Sequence, residues 1–232
     1  IIDKSATAVL AGLGASAAVL MLIFKDSILG LVAGVQLSAN DMLRPGDWIT
    51  MPKYGANGFV QEVSLTTVKV QNFDKTITTI PPYALVSDAF QNWRFMRESG
   101  GRRLKMSVNI DTNTVGFCTA DDISRFVAEG YVPADRYADA GFPIANTQVY
   151  RDFMMDFLYN HPDVRSDMMI MVRMLQPTPE GLPVELYCFC AFVDWVPFEK
   201  FQSSVLDYAV VMAREFGLRV FQRPAGTDLK DE

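Results

Sequence analysis

The stretch ATAVLAGLGASAAVLMLIF, residues 6–24, decides the architecture of the chain, because its 19 residues contain no charged side chain. An α-helix of this length is what is needed to cross the hydrocarbon core of a bilayer. Asp3 and Lys4 precede the stretch, and Lys25 and Asp26 follow it. Since no small-residue cleavage site of a secretory signal peptide comes next, we interpret the stretch as a membrane helix.

Small side chains are unusually frequent in this predicted helix. A helix that faces only lipid is usually rich in large aliphatic residues, whereas small residues let helix backbones approach each other closely. We therefore expect the segment to pack against other helices or copies of itself, with an ordinary alanine-rich anchor as the alternative. The small residues are Ala6, Ala8, Ala11, Gly12, Gly14, Ala15, Ser16, Ala17 and Ala18.

The charged pair Lys25-Asp26 interrupts the apolar sequence, which resumes over residues 27–40. Charges at membrane depth are costly unless they face water or a partner, so we predict a break in the helix near residues 25–26. The second segment would then lie more nearly along the membrane surface. The two segments together form a predicted helical region over residues 1–43.

Two glycines of the second segment, Gly30 and Gly34, are four residues apart. This spacing places them on the same face of a helix, where the absence of side chains would let the segment press against another element. The chain then leaves the membrane at Arg44-Pro45-Gly46-Asp47, a turn signal built from proline and glycine.

Residues 44–94 are predicted to form a small all-β domain. Their apolar segments alternate with polar residues or are β-branched, and turn signals separate them. Short strands at this spacing suggest a small barrel or sandwich. The predicted strands cover residues 48–51, 59–63, 66–70 and 76–80, and Pro81-Pro82 ends the last one.

Residues 95–232 are predicted to form an α/β domain with the element order βαββαβ, which is ferredoxin-like. The fold class is therefore a membrane α-helix followed by a small all-β domain and an α/β (ferredoxin-like) C-terminal domain. The patterns predict strands over 102–110, 167–174, 184–193 and 218–221, helices over 121–129, 147–160 and 198–216, and a loop over 130–146.

No catalytic constellation is visible, so we expect the chain not to be an enzyme and to use neither a cofactor nor a metal. The only histidine, His161, follows a predicted helix, where capping is its commoner role. Cys118, Cys188 and Cys190 are too few for a disulfide framework and are predicted to pack in the core. The net charge of −6 comes entirely from residues 95–232, which argues against a nucleic-acid-binding surface.

In the order of a small-residue helix, a β domain and an α/β domain, the chain resembles the small-conductance mechanosensitive channel (MscS-like) superfamily over nearly its whole length. The motifs that carry this resemblance are Ala11-Gly12-Leu13-Gly14, Gly30-Leu31-Val32-Ala33-Gly34-Val35, Arg44-Pro45-Gly46-Asp47-Trp48-Ile49, Gly58-Phe59-Val60-Gln61-Glu62-Val63, Thr66-Thr67-Val68, Thr79-Ile80-Pro81 and Asn92-Trp93. Within the superfamily the chain is most similar to the miniconductance (YbdG-type) branch. That likeness is carried by Phe24-Lys25-Asp26, MPKYGA at residues 51–56, NFDKTITTIP at residues 72–81, Ser99-Gly100-Gly101-Arg102-Arg103 and Glu215-Phe216-Gly217-Leu218-Arg219.

The resemblance implies a multi-pass homoheptamer in the bacterial inner membrane, with residues 44–232 cytoplasmic and residues 95–232 forming a vestibule. Membrane tension would open the pore, and inorganic ions and small osmolytes would leave during hypo-osmotic shock. Membrane lipid and further copies of the chain are then the expected partners. The alternative is a membrane-anchored sensory or scaffold protein without appreciable conductance, while the lack of catalytic residues disfavours a tethered enzyme.

The resemblance also points to the residues of the pore. Aligned without gaps at Gly34-Val35, the two leucine seal positions of the family fall on Ala18 and Leu22, and its hinge glycine falls on Asp26. A narrow ring of apolar side chains expels water and so blocks ions. The predicted gating residues at the helix break are Lys25, Asp26, Gly30 and Gly34.

The predicted pore face is a single stripe of the helix. Ala11, Ala15, Ala18 and Leu22 follow each other at i, i+4, i+7 and i+11. Leu22 is the only bulky member and is the expected main constriction. The alternative is that this stripe packs between helices and that another face lines the pore.

Overall fold

The computed structural model describes residues 2–138 and 143–223, with side chains described from residue 6 onward. The chain divides into two compact units, Ile1–Glu98 and Ser99–Glu232. The predicted helical region and the predicted β domain therefore lie in one unit, and the α/β domain forms the other.

The first unit begins with helix α1, Ile2–Ala39, which is 38 residues long. The helix passes through Lys25 and Asp26 without interruption, so the predicted break near residues 25–26 is wrong. Neither residue lacks a backbone N–H, and no proline lies nearby to remove a hydrogen bond of the helix. Charge on the side chains alone leaves the backbone ladder intact, which is why the apolar interruption does not end the helix.

The C-terminal end of α1 is a Schellman motif. Asp41 N–H donates to the Ser38 carbonyl at 3.2 Å, and Met42 N–H donates to the Leu37 carbonyl at 3.0 Å. Asp41 adopts the left-handed conformation, with φ of 51°, that this motif requires after the cap. These bonds satisfy carbonyls that would otherwise lack partners and set the direction in which the chain leaves the helix.

The β domain of the first unit is a five-stranded antiparallel sheet with the order β4-β3-β2-β1-β5. The strand predictions are largely confirmed, but β2 begins three residues earlier than expected, because only a short 3₁₀ helix, Pro52–Tyr54, separates it from β1. The strands are β1 Trp48–Met51, β2 Ala56–Val63, β3 Val68–Asn72, β4 Ile77–Ile80 and β5 Gln91–Asn92. The core includes Ile49, Met51, Val68, Val70, Ile80 and Leu85.

Two short helices of this unit were not predicted: α2, Pro82–Ser87, and α3, Arg94–Ser99. Pro81-Pro82 does end strand β4, as expected. Pro82 then becomes the first residue of α2, a position where proline costs no hydrogen bond and its fixed φ suits the helix.

The second unit is a three-stranded antiparallel sheet with the order β6-β8-β7 and three helices. The predicted strand over residues 102–110 is confirmed in full, and the three predicted helices are present with small shifts at their ends. The elements are β6 Arg102–Ile110, α4 Ala120–Ala128, α5 Asn146–Asn160, β7 Met171–Met174, β8 Leu182–Cys190 and α6 Trp195–Glu215. Part of the predicted loop over 130–146, namely residues 139–142, lies outside the described residues.

The ferredoxin-like arrangement is shown in part. The fourth strand, predicted over 218–221, is reduced in the described chain to a bridge between Ile110 and Val220, flanked by hydrogen bonds to Asp111 and Asn109. The predicted strand over 167–174 is shorter than expected and begins at Met171. The apolar residues before Met171 do not extend the strand, because Met168 N–H bonds the Arg165 carbonyl at 3.1 Å in a bend and Met169 and Ile170 have no strand partner within the described residues.

The core of the second unit joins α5 and α6 to the sheet. Tyr150 is fully buried and its hydroxyl donates to the Ala209 carbonyl at 2.8 Å. Cys188 and Cys190 are buried in this core, as predicted. His161 occupies the C-terminal cap position of α5, as predicted, with its backbone N–H bonded to the Leu158 carbonyl at 3.4 Å and its side chain accepting from the Asp163 N–H.

Candidate functional site

The predicted pore face lies on the first half of α1. Ala11, Ala15, Ala18 and Leu22 are all exposed, as are the other residues from 6 to 28. Leu22 has an exposed fraction of 78%, the highest of the large apolar side chains that the structure describes. The residues that the structure describes therefore provide no cover for this segment.

By length and composition, α1 is the one helix of the described residues that can cross a membrane. At 1.5 Å per residue its 38 residues extend about 57 Å, whereas a hydrocarbon core is about 30 Å thick. A continuous helix of this length extends beyond the hydrocarbon. Lys25 and Asp26 follow the uncharged segment and are both exposed.

The second half of α1 has a different environment, because Gly30 and Gly34 lie against the loop between β2 and β3. A Cβ atom at Gly30 would lie 3.4 Å from the Leu65 carbonyl oxygen, and one at Gly34 would lie 3.5 Å from the Leu65 Cα. The prediction that these glycines let the helix press against another element is confirmed. At Gly12 and Gly14, by contrast, a Cβ would meet nothing within 4 Å.

Burial on this half of α1 follows a helical stripe. Gly30, Ala33, Gly34 and Leu37 are buried, and α1 contacts α2 along this side. The opposite side remains apolar and exposed at Ile28, Leu31, Val32 and Val35. The second half of the helix is therefore attached to the β domain along one side and presents an apolar surface on the other.

A cluster of charged and polar side chains fixes the end of α1 to the β domain; we call Asp41, Arg44, Asp47, Asn92 and Arg94 the Arg94 cluster. Arg94 binds both carboxylate oxygens of Asp47, through Nε at 2.9 Å to Oδ1 and through Nη2 to Oδ2. Its Nη1 donates to Asp41 Oδ2 at 3.0 Å. One guanidinium thus joins Asp41, just after α1, to Asp47, just before β1.

The other members of the Arg94 cluster complete the hydrogen bonds of the turn. Asn92 Nδ2 donates to the Met42 carbonyl at 3.1 Å and to Asp47 Oδ2 at 2.9 Å. The backbone N–H of Arg44 donates to the same Asp47 oxygen at 2.9 Å, and its guanidinium binds Asp41. Asp47 is only 8% exposed, and these donors satisfy its buried carboxylate.

Neighbouring aromatic rings fix the backbone between β5 and α3, and this backbone places Arg94 beside Asp47. Trp93 stacks on Trp48 with ring centroids 4.8 Å apart. The indole N–H of Trp93 donates to Thr50 Oγ1 at 2.9 Å, and Trp93 N–H donates to the Trp48 carbonyl. The Asn92-Trp93 motif therefore positions the arginine that follows it.

The electrostatics of the cluster favour the charged forms of Asp41, Asp47 and Arg94. Burial raises the pKa of Asp47, but hydrogen bonds from Arg94, Asn92 and the Arg44 backbone outweigh it and hold the pKa below its usual value. The pKa of Asp41 is lowered chiefly by the hydrogen bond from the Arg44 side chain. The pKa of Arg94 is raised, chiefly by its hydrogen bonds to Asp47.

Sequence reasoning missed Arg94, which lies 47 residues after Asp47. The signal available was the proximity of Arg94 to Asn92-Trp93, two residues of a family motif, but a lone arginine after a strand does not reveal its partner. Among the residues that the structure describes, no group of His, Cys, Asp and Glu side chains is arranged to hold a metal ion.

Comparison with known proteins identifies similarity to mechanosensitive channels. Residues 26–95 match the family model described as the mechanosensitive ion channel β-domain. The small-conductance mechanosensitive channel MscMJ of Methanocaldococcus jannaschii is 32% identical over 108 residues, which cover 47% of this chain and 29% of that protein. The low conductance mechanosensitive channel YnaI of Escherichia coli is 23% identical over 181 residues, covering 78% of this chain and 43% of that protein.

Solved structures of this class show a similar fold. The closed-state crystal structure of Helicobacter pylori MscS has a TM-score of 0.63 at 11% identity, covering 97% of this chain and 74% of that one. The cryo-electron microscopy structure of Arabidopsis thaliana MSL1 has a TM-score of 0.68 at 13% identity, covering 94% and 66%. The chain spans about a third of the length of the curated relatives it matches. These similarities are to proteins of the MscS-like family, and they do not distinguish between its branches.

Proposed function

We propose that this chain, whose similarities support the MscS-like family of mechanosensitive channels, is the pore helix and cytoplasmic part of a tension-gated channel subunit. The observation that carries the proposal is the contrast along α1, an apolar helix exposed on every side over residues 6–28 and tightly attached to a β domain beyond them. An exposed apolar segment of this length needs lipid or other copies of itself around it. Seven copies, as the resemblance implies, would surround a central pore.

The pore face in this proposal contains Ala11, Ala15, Ala18 and Leu22. The three alanines leave room along the axis, and Leu22 supplies the bulk that narrows it. A ring of leucine side chains in a narrow passage is unfavourable for water, and without water ions do not pass. Widening the ring by a small movement of each helix would let water enter.

The attachment of α1 to the β domain would make the helix and the domain move together. Gly30 and Gly34 bring the helix backbone against Leu65, and the Arg94 cluster holds the turn that follows. The exposed apolar side at Ile28, Leu31, Val32 and Val35 would then face lipid or a neighbouring subunit. Tension that displaces this surface would move the pore half of the same continuous helix.

Lys25 and Asp26 have a different role in this proposal from the break first expected. They follow the uncharged segment that spans the hydrocarbon, so they mark the depth at which α1 reaches water. Membrane crossing by residues 6–24 would leave residues 44–232 in the cytoplasm of a bacterial cell. The ions and small osmolytes released on hypo-osmotic shock would pass through the space that these residues enclose.

The test is to record currents from the full-length protein in membrane patches of cells that lack other mechanosensitive channels. Stepwise suction is expected to open discrete conductances, and the purified protein is expected to form rings with seven-fold symmetry. Rings without current at any tolerated tension would instead favour a sensory or scaffold protein. A monomer or dimer in mild detergent would contradict both the ring and the pore.

A further inference from the structure

A groove on the second unit has five aromatic side chains in its lining. It has a volume of about 640 Å³ and lies between the segment that follows α4, the C-terminal half of α5, and α6. Its rings come from Tyr131, Phe153, Phe157, His161 and Tyr208. A volume of this size suits a small molecule.

The rings of the groove hold one another in place. Phe157 stacks on Tyr208 with centroids 4.2 Å apart, and Phe153 stacks on the same ring at 6.1 Å. Tyr131 meets Phe153 edge to face at 5.4 Å. Tyr208 nevertheless keeps an exposed fraction of 36%, so part of its ring surface is open to the groove.

The histidine of the groove is held in place by its surroundings. His161 Nδ1 accepts a hydrogen bond from the backbone N–H of Asp163 at 3.1 Å. The imidazole lies edge-on against Phe157 and Phe201. One hydrogen bond and two ring contacts therefore fix this side of the groove.

Carboxylates lie in and near the groove, and the lining residues that the structure describes include no lysine or arginine. Asp156 is in the lining, where Arg136 donates to both its oxygens at 2.6 and 3.1 Å. Burial raises the pKa of Tyr131, and the carboxylates of Glu215 and Glu129 raise it further. These carboxylates disfavour an anion in the groove.

We propose that this groove binds a small quaternary ammonium cation, with its methyl groups against Tyr131 and Tyr208. Aromatic faces attract cations through the negative charge of the ring face. A quaternary nitrogen has no N–H and needs no hydrogen-bond acceptor, and its methyl groups match the aromatic walls, while the Asp156 carboxylate of the lining is already bonded by Arg136. A primary ammonium is strongly hydrated and is better solvated by water. The inference concerns a binding site and does not rest on channel activity.

Titration calorimetry on the purified full-length protein tests the proposal, with tetramethylammonium chloride as the probe and sodium chloride as the ionic-strength reference. We expect saturable binding in the millimolar range, because exposed cation–π sites are weak. Tyr208→Leu keeps apolar bulk but removes the ring and should weaken binding about tenfold. Tyr208→Phe keeps the ring and should bind as the unchanged protein does.

Three outcomes would overturn the proposal: no saturable heat up to about 100 mM probe, equal binding of neutral tert-butanol, or unchanged affinity in Tyr208→Leu. Equal binding of tert-butanol would mean that the groove is merely apolar. If Tyr208→Leu does not unfold cooperatively, the pair Tyr131→Leu and Tyr131→Phe replaces it with the same expectations. Because no current is measured, failure here is separate from failure of the proposed channel.

Discussion

The two halves of α1 contain the same kinds of residue and use them differently. In the first half, Gly12 and Gly14 face open space, whereas in the second half Gly30 and Gly34 lie against the backbone of the β2–β3 loop. In both halves small residues mark a surface suited to close approach. The described residues include the partner of the second half and none for the first half.

This difference predicts which half of α1 contributes to the stability of the folded chain. Substitutions in the second half disturb contacts within the chain, so they should change its unfolding. Substitutions in the first half disturb only contacts with lipid or other copies, so they should change assembly or conduction. The following four predictions test this division, ordered by their expected effect on stability.

The largest loss is expected from Arg94→Met, which removes the guanidinium that joins the end of α1 to the β domain. Arg94 and Asp47 are 12% and 8% exposed, so the change leaves a buried carboxylate without its cation. We expect a loss of about 3 kcal/mol in the free energy of unfolding, at the low end for such pairs because Asn92 still donates to Asp47. Thermal unfolding in detergent, followed by circular dichroism, measures the change.

Lys53→Met is the matched control for this prediction. It removes another ion pair of the same unit, but Lys53 is 67% exposed and its pair with Asp88 is screened by water. The control should unfold at the temperature of the unchanged protein. Equal effects of the two substitutions would show that the Arg94 cluster does not fix the helix end.

The next effect is expected at Gly34, where a large side chain would collide with the Leu65 backbone. Gly34→Leu should lower the free energy of unfolding by about 2 kcal/mol through overpacking. Gly12→Leu, where the structure leaves open space, should leave the unfolding of the β domain unchanged. The same unfolding measurement is made on both variants. A larger loss of stability in Gly12→Leu than in Gly34→Leu would contradict the comparison between the two halves.

Gly34→Ala sharpens the same comparison, because its Cβ would lie at ordinary contact distances of 3.5 to 3.8 Å from the loop. The smaller change should be tolerated and should add helix propensity, so its effect on unfolding should be neutral or slightly stabilising. A strong loss in Gly34→Ala would show that the loop lies closer to the helix than the structure has it.

A smaller effect is expected from acid. The folded pKa of Asp47 lies below its unfolded value near 3.8, so the carboxylate contributes stability above that pH. This contribution is lost as pH falls through the lower folded pKa, so the β domain should weaken below about pH 4. Between pH 7 and pH 3, Arg94→Met should lose less free energy of unfolding than the unchanged protein. An equal loss in both would show that Asp47 is not the source of the acid sensitivity.

The smallest effect on stability is expected at Leu22, although its effect on conduction should be large. Leu22→Ser should leave the free energy of unfolding within about 0.5 kcal/mol of the unchanged value, because the described residues leave 78% of Leu22 exposed. Seven hydroxyls in the proposed constriction should keep the pore wet and make the channel leaky. Growth and patch recordings in cells without other mechanosensitive channels measure this leak.

Ala18→Leu is the companion variant on the same face. It would add a second apolar ring one helical turn away, lengthen the stretch without water and raise the tension needed for opening. If Leu22 instead packs between helices, Leu22→Ser should reduce assembly and current. Normal assembly with unchanged growth and threshold would show that another face of α1 lines the pore.

Much of the fold follows from local pattern in the sequence. The alternation of apolar and polar residues over 102–110 predicts both ends of strand β6. Successive side chains of a strand point to opposite faces of the sheet, so a strand with one buried face alternates in this way. The β-branched segments of the β domain predict β3 and β4 to within two residues. The glycine spacing at Gly30 and Gly34 predicts a close contact, but not that its partner is Leu65.

The parts that sequence reasoning missed depend on distant contacts or on backbone details. The charges of Lys25-Asp26 favour a break in the helix, but the charge of a side chain does not determine the geometry of the backbone. The sequence predicts that Pro81-Pro82 ends a strand, but proline is also common at the first position of a helix, which is where Pro82 lies. The Arg94 cluster joins residues 47 positions apart, and no local period reveals such a pair.

The position of β8 between β6 and β7 has a consequence for the order in which the second unit opens. β8 pairs with β6 along its whole length and with β7 over residues 184–187, so the amides of that central part should exchange with solvent deuterium only when the sheet separates. β6 is held on its outer edge, within the described chain, by a short contact around Ile110 and Val220. The outward amides of β6 should therefore exchange early, and β8 should be the last element of this unit to lose its protons.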